Sequence, residues 1–275
     1  MNREDIRVAI LRIEGTNCED ESFQAFRELG TTPEYVHLKQ LTVRGIRNSR
    51  RLSDFQIVMF PGGFSAGDYV RAGAILAARI KSKLEGDLRE YIENGYPMIG
   101  VCNGFQVMVE LGILPGLDGA VARRPEAALF TNDSARFECR PTLLKHVNRG
   151  NSKFTSRIPR GDIRLIPSAH AEGKLIFAPE RKEEIMRRLG ENDQIVFRYV
   201  DPKGNENAGY PWNPNGTEGN IAGITNPSGT VLGMMPHPER VFTPYTHPDW
   251  TRKTVKEGAG RAIFESIVEY VQRTF

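Results

Sequence analysis

Three short runs that are almost wholly apolar, Val8-Ala9-Ile10-Leu11, Phe55-Gln56-Ile57-Val58-Met59-Phe60 and Met98-Ile99-Gly100-Val101, constrain this chain most strongly. They do not alternate polar with apolar residues, so each reads as a strand buried on both faces. The segments between them have a helical period instead. Cys18 to Leu29 follows a helical pattern closed by Gly30, and Ile75, Leu76, Ile80, Leu84, Leu88 and Ile92 recur at helical spacing before Asn94-Gly95. Tyr35-Val36-His37-Leu38 reads as one more short strand. Strands and helices alternating in this way predict an α/β fold with a mainly parallel central sheet flanked by helices.

The rhythm changes after Leu117. Scattered β-like runs appear at Ala128-Leu129-Phe130 and Lys174-Leu175-Ile176-Phe177, with an amphipathic stretch from Pro179 to Leu189, which predicts added β elements around the core sheet. Asp201 to Asn220 is rich in Gly, Pro and Asn and reads as a long loop. Ile221-Ala222-Gly223-Ile224 and Val231-Leu232-Gly233-Met234-Met235, separated by Asn226-Pro227-Ser228-Gly229, predict a hairpin ending at Pro236. A final helix carries Ile263, Ile267, Val268 and Val271 on one face. No repeat or linker divides the chain, so residues 1–275 are expected to form a single domain.

Composition removes several function classes. The excess of 37 Lys+Arg over 34 Asp+Glu is too small to indicate a nucleic-acid partner, and no apolar stretch approaches bilayer length. Cys18, Cys102 and Cys139 are odd in number and lack C-x-x-C spacing, which predicts neither a disulfide framework nor a cysteine metal site. A reducing, cytoplasmic setting is expected. The basic segments Arg44 to Arg51 and Arg157 to Arg164 read as solvated surface charge or as docking faces.

Gly100-Val101-Cys102-Asn103-Gly104 stands where a buried strand meets a helix. This is the G-x-nucleophile-x-G arrangement, in which the glycines permit a sharp turn and expose the central side chain. On its own, Cys102 reads equally well as a small buried hydrophobe. A nucleophilic thiol also needs a proton acceptor. Of the five histidines, His237 in Pro236-His237-Pro238-Glu239 stands out, because an extended backbone would place Glu239 on the same side to orient the imidazole. Acyl transfer further requires donors for an oxyanion. The Asn103 amide at the helix start and a Gly63 amide in Pro61-Gly62-Gly63-Phe64-Ser65 are the candidates.

These pieces, continued as Phe105-Gln106, Ala66-Gly67-Asp68 and Arg240, resemble the class I glutamine amidotransferases. Gly15-Thr16-Asn17-Cys18-Glu19-Asp20 and Ser168-Ala169-His170-Ala171-Glu172-Gly173 are similar to segments of the glutaminase subunits of the phosphoribosylformylglycinamidine synthases. Thr16 stands where serine is common and Ala171 where glycine is common. The resemblance implies a flavodoxin-like arrangement and a Cys102-His237-Glu239 triad that releases ammonia from glutamine. It further implies that the Gly63 and Asn103 amides hold the oxyanion and that Gln106 and His170 contact the substrate, although a structural or partner-facing duty fits His170 and Glu172 as well. Asn17 and Cys18 are expected to shape the wall beside the first strand, and Cys139 to be a core cysteine.

The implied partners are glutamine, a larger synthetase subunit and a small third subunit. No cofactor is expected in this chain, ATP and Mg being used by the synthetase on formylglycinamide ribonucleotide. The other readings are a different class I amidotransferase, a cysteine peptidase or chaperone-like protein with the related elbow, and a catalytically silent regulatory module.

Overall fold

β1 (Arg7–Arg12), β2 (Thr32–His37), β3 (Ile57–Phe60) and β4 (Met98–Val101) pair in the order β2-β1-β3-β4, all parallel, in a computed structural model that describes every residue except Lys253. α1 (Glu19–Glu28) connects β1 to β2. The short α2 (Leu38–Thr42) follows β2, α3 (Ala74–Glu93) connects β3 to β4, and α4 (Asn103–Glu110) leaves β4 directly. The remaining elements are β5 (Ala127–Phe130), β6 (Glu138–His146), β7 (Ile163–His170), β8 (Lys174–Phe177), α5 (Lys182–Glu191), β9 (Ile195–Tyr199), β10 (Ile221–Thr225), β11 (Val231–Met234) and α6 (Arg261–Thr274).

β11 returns to the core sheet and pairs parallel with β4, giving five parallel strands in the flavodoxin-like order. Register places Ile10 beside Met59, Met59 beside Ile99 and Ile99 beside Leu232, a row of side chains with no exposure, which is why these runs are continuously apolar. Beyond β11 the sheet continues as β10-β9-β6-β7, and every pairing in that half is antiparallel. The predicted hairpin is β10 and β11. The scattered runs at Ala128 and Lys174 pair as β5 and β8 in a separate two-stranded sheet.

β6 and β7 are not legible as long strands in the sequence, because each contains a proline. Pro141 and Pro167 stand opposite one another in the register, so both missing N–H groups fall on the same rung of the ladder. Cys139 lies on the outward face of β6 and is exposed, contrary to the expectation of a core cysteine; the strand buries only alternate positions, and Glu138 takes the inward one. The loop from 201 to 220 is held by buried asparagines: Asn215 Nδ2 donates to the Gly173 carbonyl at 2.7 Å, and Asn220 Nδ2 donates to the carbonyls of Tyr199 and Ala208. In the two basic segments, Arg44 pairs with Asp87, Arg157 with Glu265 and Glu269, and Arg164 with Asp162.

α1 packs beside α6 and α3 beside α4. Phe264 of α6 has no exposure and meets Phe26 of α1 edge-on at 5.2 Å and Phe242 at 5.8 Å, so one ring fastens the C-terminal helix to the first. Phe264→Ala is expected to lower stability by about 3–5 kcal/mol, read as a lower urea midpoint with an unchanged slope; a loss under about 1 kcal/mol would show that this contact is not structural.

Candidate active site

β4 runs into α4 through Cys102, whose backbone adopts φ 51° and ψ −108°, a strained conformation for a non-glycine residue. Only glycines allow the turn to close this tightly. A Cβ on Gly104 would overlap the Phe60 carbonyl, and one on Gly100 would lie 2.7 Å from the Gly104 carbonyl oxygen. The thiol therefore stands at the N-cap of α4, beyond the end of the sheet. Its sulfur is 3.5 Å from the Ala169 carbonyl of β7.

His237 follows β11, the strand beside β4, and its main-chain N–H donates to the Pro167 carbonyl at 2.8 Å. Its Nδ1 lies 2.5 Å from Glu239 Oε1, and both side chains are buried. The sequence reading expected this contact from an extended backbone. The bond instead forms across a 3-10 turn at Pro238–Val241, with Pro238 at its first position, where the missing N–H is no loss. With Nδ1 donating to the carboxylate, Nε2 is the nitrogen that gains or loses the second proton; it is buried and has no hydrogen bond among the described residues. A Cβ placed on Gly62 would sit 2.8 Å from His237 Cε1 and 3.4 Å from Cys102 Cβ, so thiol and imidazole close over the same glycine. Burial by itself disfavours the imidazolium, but the Glu239 carboxylate and Cys102 outweigh it and hold the His237 pKa well above its ordinary value.

Gly63 and Thr16 form an isolated antiparallel bridge. Its bonds run from Asn17 N to Gly62 O at 3.2 Å and from Phe64 N to Gly15 O at 2.8 Å, which turns the Gly63 amide out of the bonded pair. Gly63 has φ 139°, and a side chain there would come 2.6 Å from Asn17 N. The Asn103 side chain ties this loop to α4: its Oδ1 accepts from Ser65 N at 3.2 Å, and its Nδ2 donates to Asp68 Oδ1 and to Gln106 Oε1. Gln106 Nε2 donates in turn to the Glu172 carbonyl at 2.6 Å. Both ends of the Gln106 amide are thus engaged within the protein, where they brace the segment after β7 against α4. Glu172 Oε2 accepts from Ala72 N at 3.1 Å.

His170, at the end of β7, is 2% exposed, and its Nδ1 meets Asn132 Oδ1 at 3.2 Å. Burial and the charge of His237 push its pKa down to about 4. Two histidines of one site are therefore driven in opposite directions, because His237 is hydrogen-bonded to a carboxylate while His170 is bonded to an amide and feels Glu138 only as its weakest influence.

Sequence reasoning missed two contacts of the site. Cys18 Sγ lies 3.9 Å from His237 Nδ1, and Arg240 Nη2 donates to the same sulfur at 3.1 Å. The available signal was topological: Cys18 closes the first βα turn as the N-cap of α1, and β1 neighbours β3 in this strand order. Cys18, His237 and Glu239 each offer a ligand atom within 4.8 Å of the others. The 2.5 Å between His237 Nδ1 and Glu239 Oε1 is closer than the roughly 3 Å that two ligands of one tetrahedral zinc keep, and suits a shared proton instead.

The cysteine elbow, the imidazole with its carboxylate, and the Gly63 amide, unbonded among the described residues, all lie outside the carboxyl edge of one parallel sheet. Residues 5–271 match the CobB/CobQ-like glutamine amidotransferase domain. The chain is 53% identical to phosphoribosylformylglycinamidine synthase subunit PurQ of Archaeoglobus fulgidus, over 99% of this chain and 100% of that protein. The chain belongs to the PurQ family of class I glutamine amidotransferases. The subunit PurQ of Picrophilus torridus is 45% identical, over 94% of this chain and 96% of that one. Among solved structures, PurLQS from Thermotoga maritima superposes with a TM-score of 0.72 at 28% identity, covering 97% of this chain and 99% of that one. No helix among the described residues is long and apolar enough to cross a membrane.

The lowered His170 pKa carries a pH consequence for this PurQ-family fold. The unfolded chain takes up a proton near 6.5 and the folded site only near 4, so stability falls as pH drops through that window. We expect nitrogen NMR to show His170 neutral at every pH above 5.5, and the urea midpoint to decline below pH 6.5. Protonation of His170 at pH 6 would contradict its placement.

Proposed function

We propose that this chain is the glutaminase subunit of a phosphoribosylformylglycinamidine synthase, hydrolysing glutamine to glutamate and ammonia. The observation that carries the reading is the buried Cys102, His237 and Glu239 grouping at the elbow. Cys102 gives its proton to Nε2 of His237, and the thiolate attacks the side-chain carbonyl carbon of glutamine. The oxyanion takes hydrogen bonds from the Gly63 and Asn103 amides. His237 returns the proton to the departing nitrogen, which leaves as ammonia, and a thioester remains on Cys102. His237 then takes a proton from water, hydroxide adds to the thioester, and the proton goes back to the sulfur as glutamate leaves. Glu239 holds the Nδ1 proton throughout, fixing the tautomer. Gln106 and His170 form the wall against which the substrate amide lies.

Released ammonia passes to a larger synthetase subunit, which uses ATP and Mg to convert formylglycinamide ribonucleotide to formylglycinamidine ribonucleotide, with a small third subunit in the complex. The PurLQS neighbour supports that assembly. We also read residues 1–275 as one amidotransferase domain, supported by the nine strands of one sheet that join its two halves. The three free cysteines support action in the cytoplasm.

Glutamate release from glutamine, measured with the synthetase partner and its substrates present, tests this directly. Cys102→Ala should abolish it, and His237→Ala should lower kcat by roughly 10⁴-fold, while ammonia-dependent synthesis by the partner survives in both. An equal fall of both activities would make these residues structural. Absence of glutamate release by the unaltered complex would exclude a glutaminase.

A further inference from the structure

Cys18 is nine-tenths and more buried beside His237, and the reaction described above gives it no task. Its surroundings are nevertheless polar. The sulfur receives a hydrogen bond from Arg240 Nη2 at 3.1 Å and lies 3.9 Å from His237 Nδ1, the nitrogen already bonded to Glu239. Arg240 is half-buried, and its other acid, Glu21, stands at 4.0 Å, so the sulfur is the nearer of its two partners. The main chain of the same residue reaches the opposite part of the site: the amides of Asn17 and Cys18 both donate to the Gly62 carbonyl, at 3.2 and 3.1 Å. A Cβ on Gly62 would lie 3.2 Å from Cys18 Sγ as well as 2.8 Å from His237 Cε1. One residue thus touches the edge of the imidazole through its side chain and the peptide preceding Gly63 through its backbone.

We propose that Cys18 is a positioning residue, which together with Arg240 fixes the His237 ring over Cys102 and holds the Gly62–Gly63 peptide in the orientation that turns the Gly63 amide toward the reacting carbonyl. The sulfur suits this place because it is large and polarisable enough to fill the gap beside the ring. It also accepts the Arg240 hydrogen bond without competing for the Nδ1 proton as strongly as a carboxylate would. Alanine would leave Arg240 without its nearer acceptor and the ring free to tilt. The backbone bonds to Gly62 survive any such substitution, so side-chain variants isolate the part played through His237.

The groups that face His237 are Glu239 on its own turn, Cys102 at the elbow, His170 at the end of β7, and Cys18 in the first βα loop. Burial opposes the protonated ring, Glu239, Cys102 and Cys18 favour it, and His170, neutral in the working range, adds no charge of its own. Removing the Cys18 sulfur therefore lowers the proton affinity of His237. Turnover needs the imidazolium as the acid for the leaving ammonia, so the alkaline limb of the kcat/KM profile moves to lower pH.

The inference rests on the glutaminase reading, and its test separates the two. Glutamate release is measured across pH for the assembled complex carrying the natural chain, Cys18→Ala or Cys18→Ser. We expect Cys18→Ala to lower kcat by roughly ten- to a hundredfold, with the KM for glutamine changed less than threefold and the alkaline limb moved to lower pH. Cys18→Ser, whose hydroxyl still accepts from Arg240, should recover a large part of both losses. An alanine variant with the natural rate and pH profile overturns the inference and leaves the glutaminase reading intact. A fall in kcat with no shift of the limb and no recovery by serine, together with a lowered melting temperature, makes Cys18 a packing residue only and likewise overturns it. An inactive natural complex overturns the glutaminase reading instead.

Discussion

The conformation of Cys102 is the constraint on which the rest of the site depends. A residue with φ 51° between β4 and α4 is stable only if both neighbouring backbones come closer than any side chain allows, which fixes glycine at positions 100 and 104 and brings α4 against the Phe60 carbonyl of β3. That close approach sets the register between the elbow and the end of β3, so the Gly62–Gly63 loop must lie beside the thiol. It also places the first turn of α4 so that Asn103 reaches back to Ser65 and Asp68. Strain at a single residue is thus balanced by a set of contacts that hold the elbow and the Gly62–Gly63 loop together.

The antiparallel half of the sheet supplies what the parallel half lacks. β7 is the last strand in the sheet order, yet its end returns to the elbow: Pro167 accepts from the His237 main chain, Ala169 lies against the Cys102 sulfur, and His170 faces His237. Closing the site in this way removes water from both histidines. The result differs because of one carboxylate. His237, with Glu239 at 2.5 Å, gains proton affinity in the dry interior, whereas His170, bonded to the neutral Asn132 amide, loses it. The site therefore sets one imidazole of raised proton affinity beside one that stays neutral.

The parallel core was legible because its physics is local. Fully apolar runs, helical spacing and the glycines after them specify β1, β3, β4 and the helices between without reference to anything distant. The elbow at Cys102 was legible for the same reason, since such a turn needs its glycines close by in sequence. The His237–Glu239 contact was foreseen, but from an extended backbone, because the flanking prolines carry that local preference and the 3-10 turn is imposed by packing of the following segment. β6 and β7 were hidden by Pro141 and Pro167, which argue against strands until each is seen to sit opposite the other. Cys18 and Arg240 were hidden for a different reason: their contact joins positions 222 residues apart and follows only from the strand order.

The central claim is that Cys102, activated by His237, is the group that bonds to the glutamine side chain. Treating the assembled complex with a glutamine analogue bearing an electrophilic ketone, followed by peptide mass mapping, tests it most directly. The expected result is one adduct per chain, on Cys102, protected by glutamine and strongly slowed in His237→Ala. An adduct formed preferentially on Cys18 or on the exposed Cys139, or equal labelling of Cys102 without His237, would contradict it.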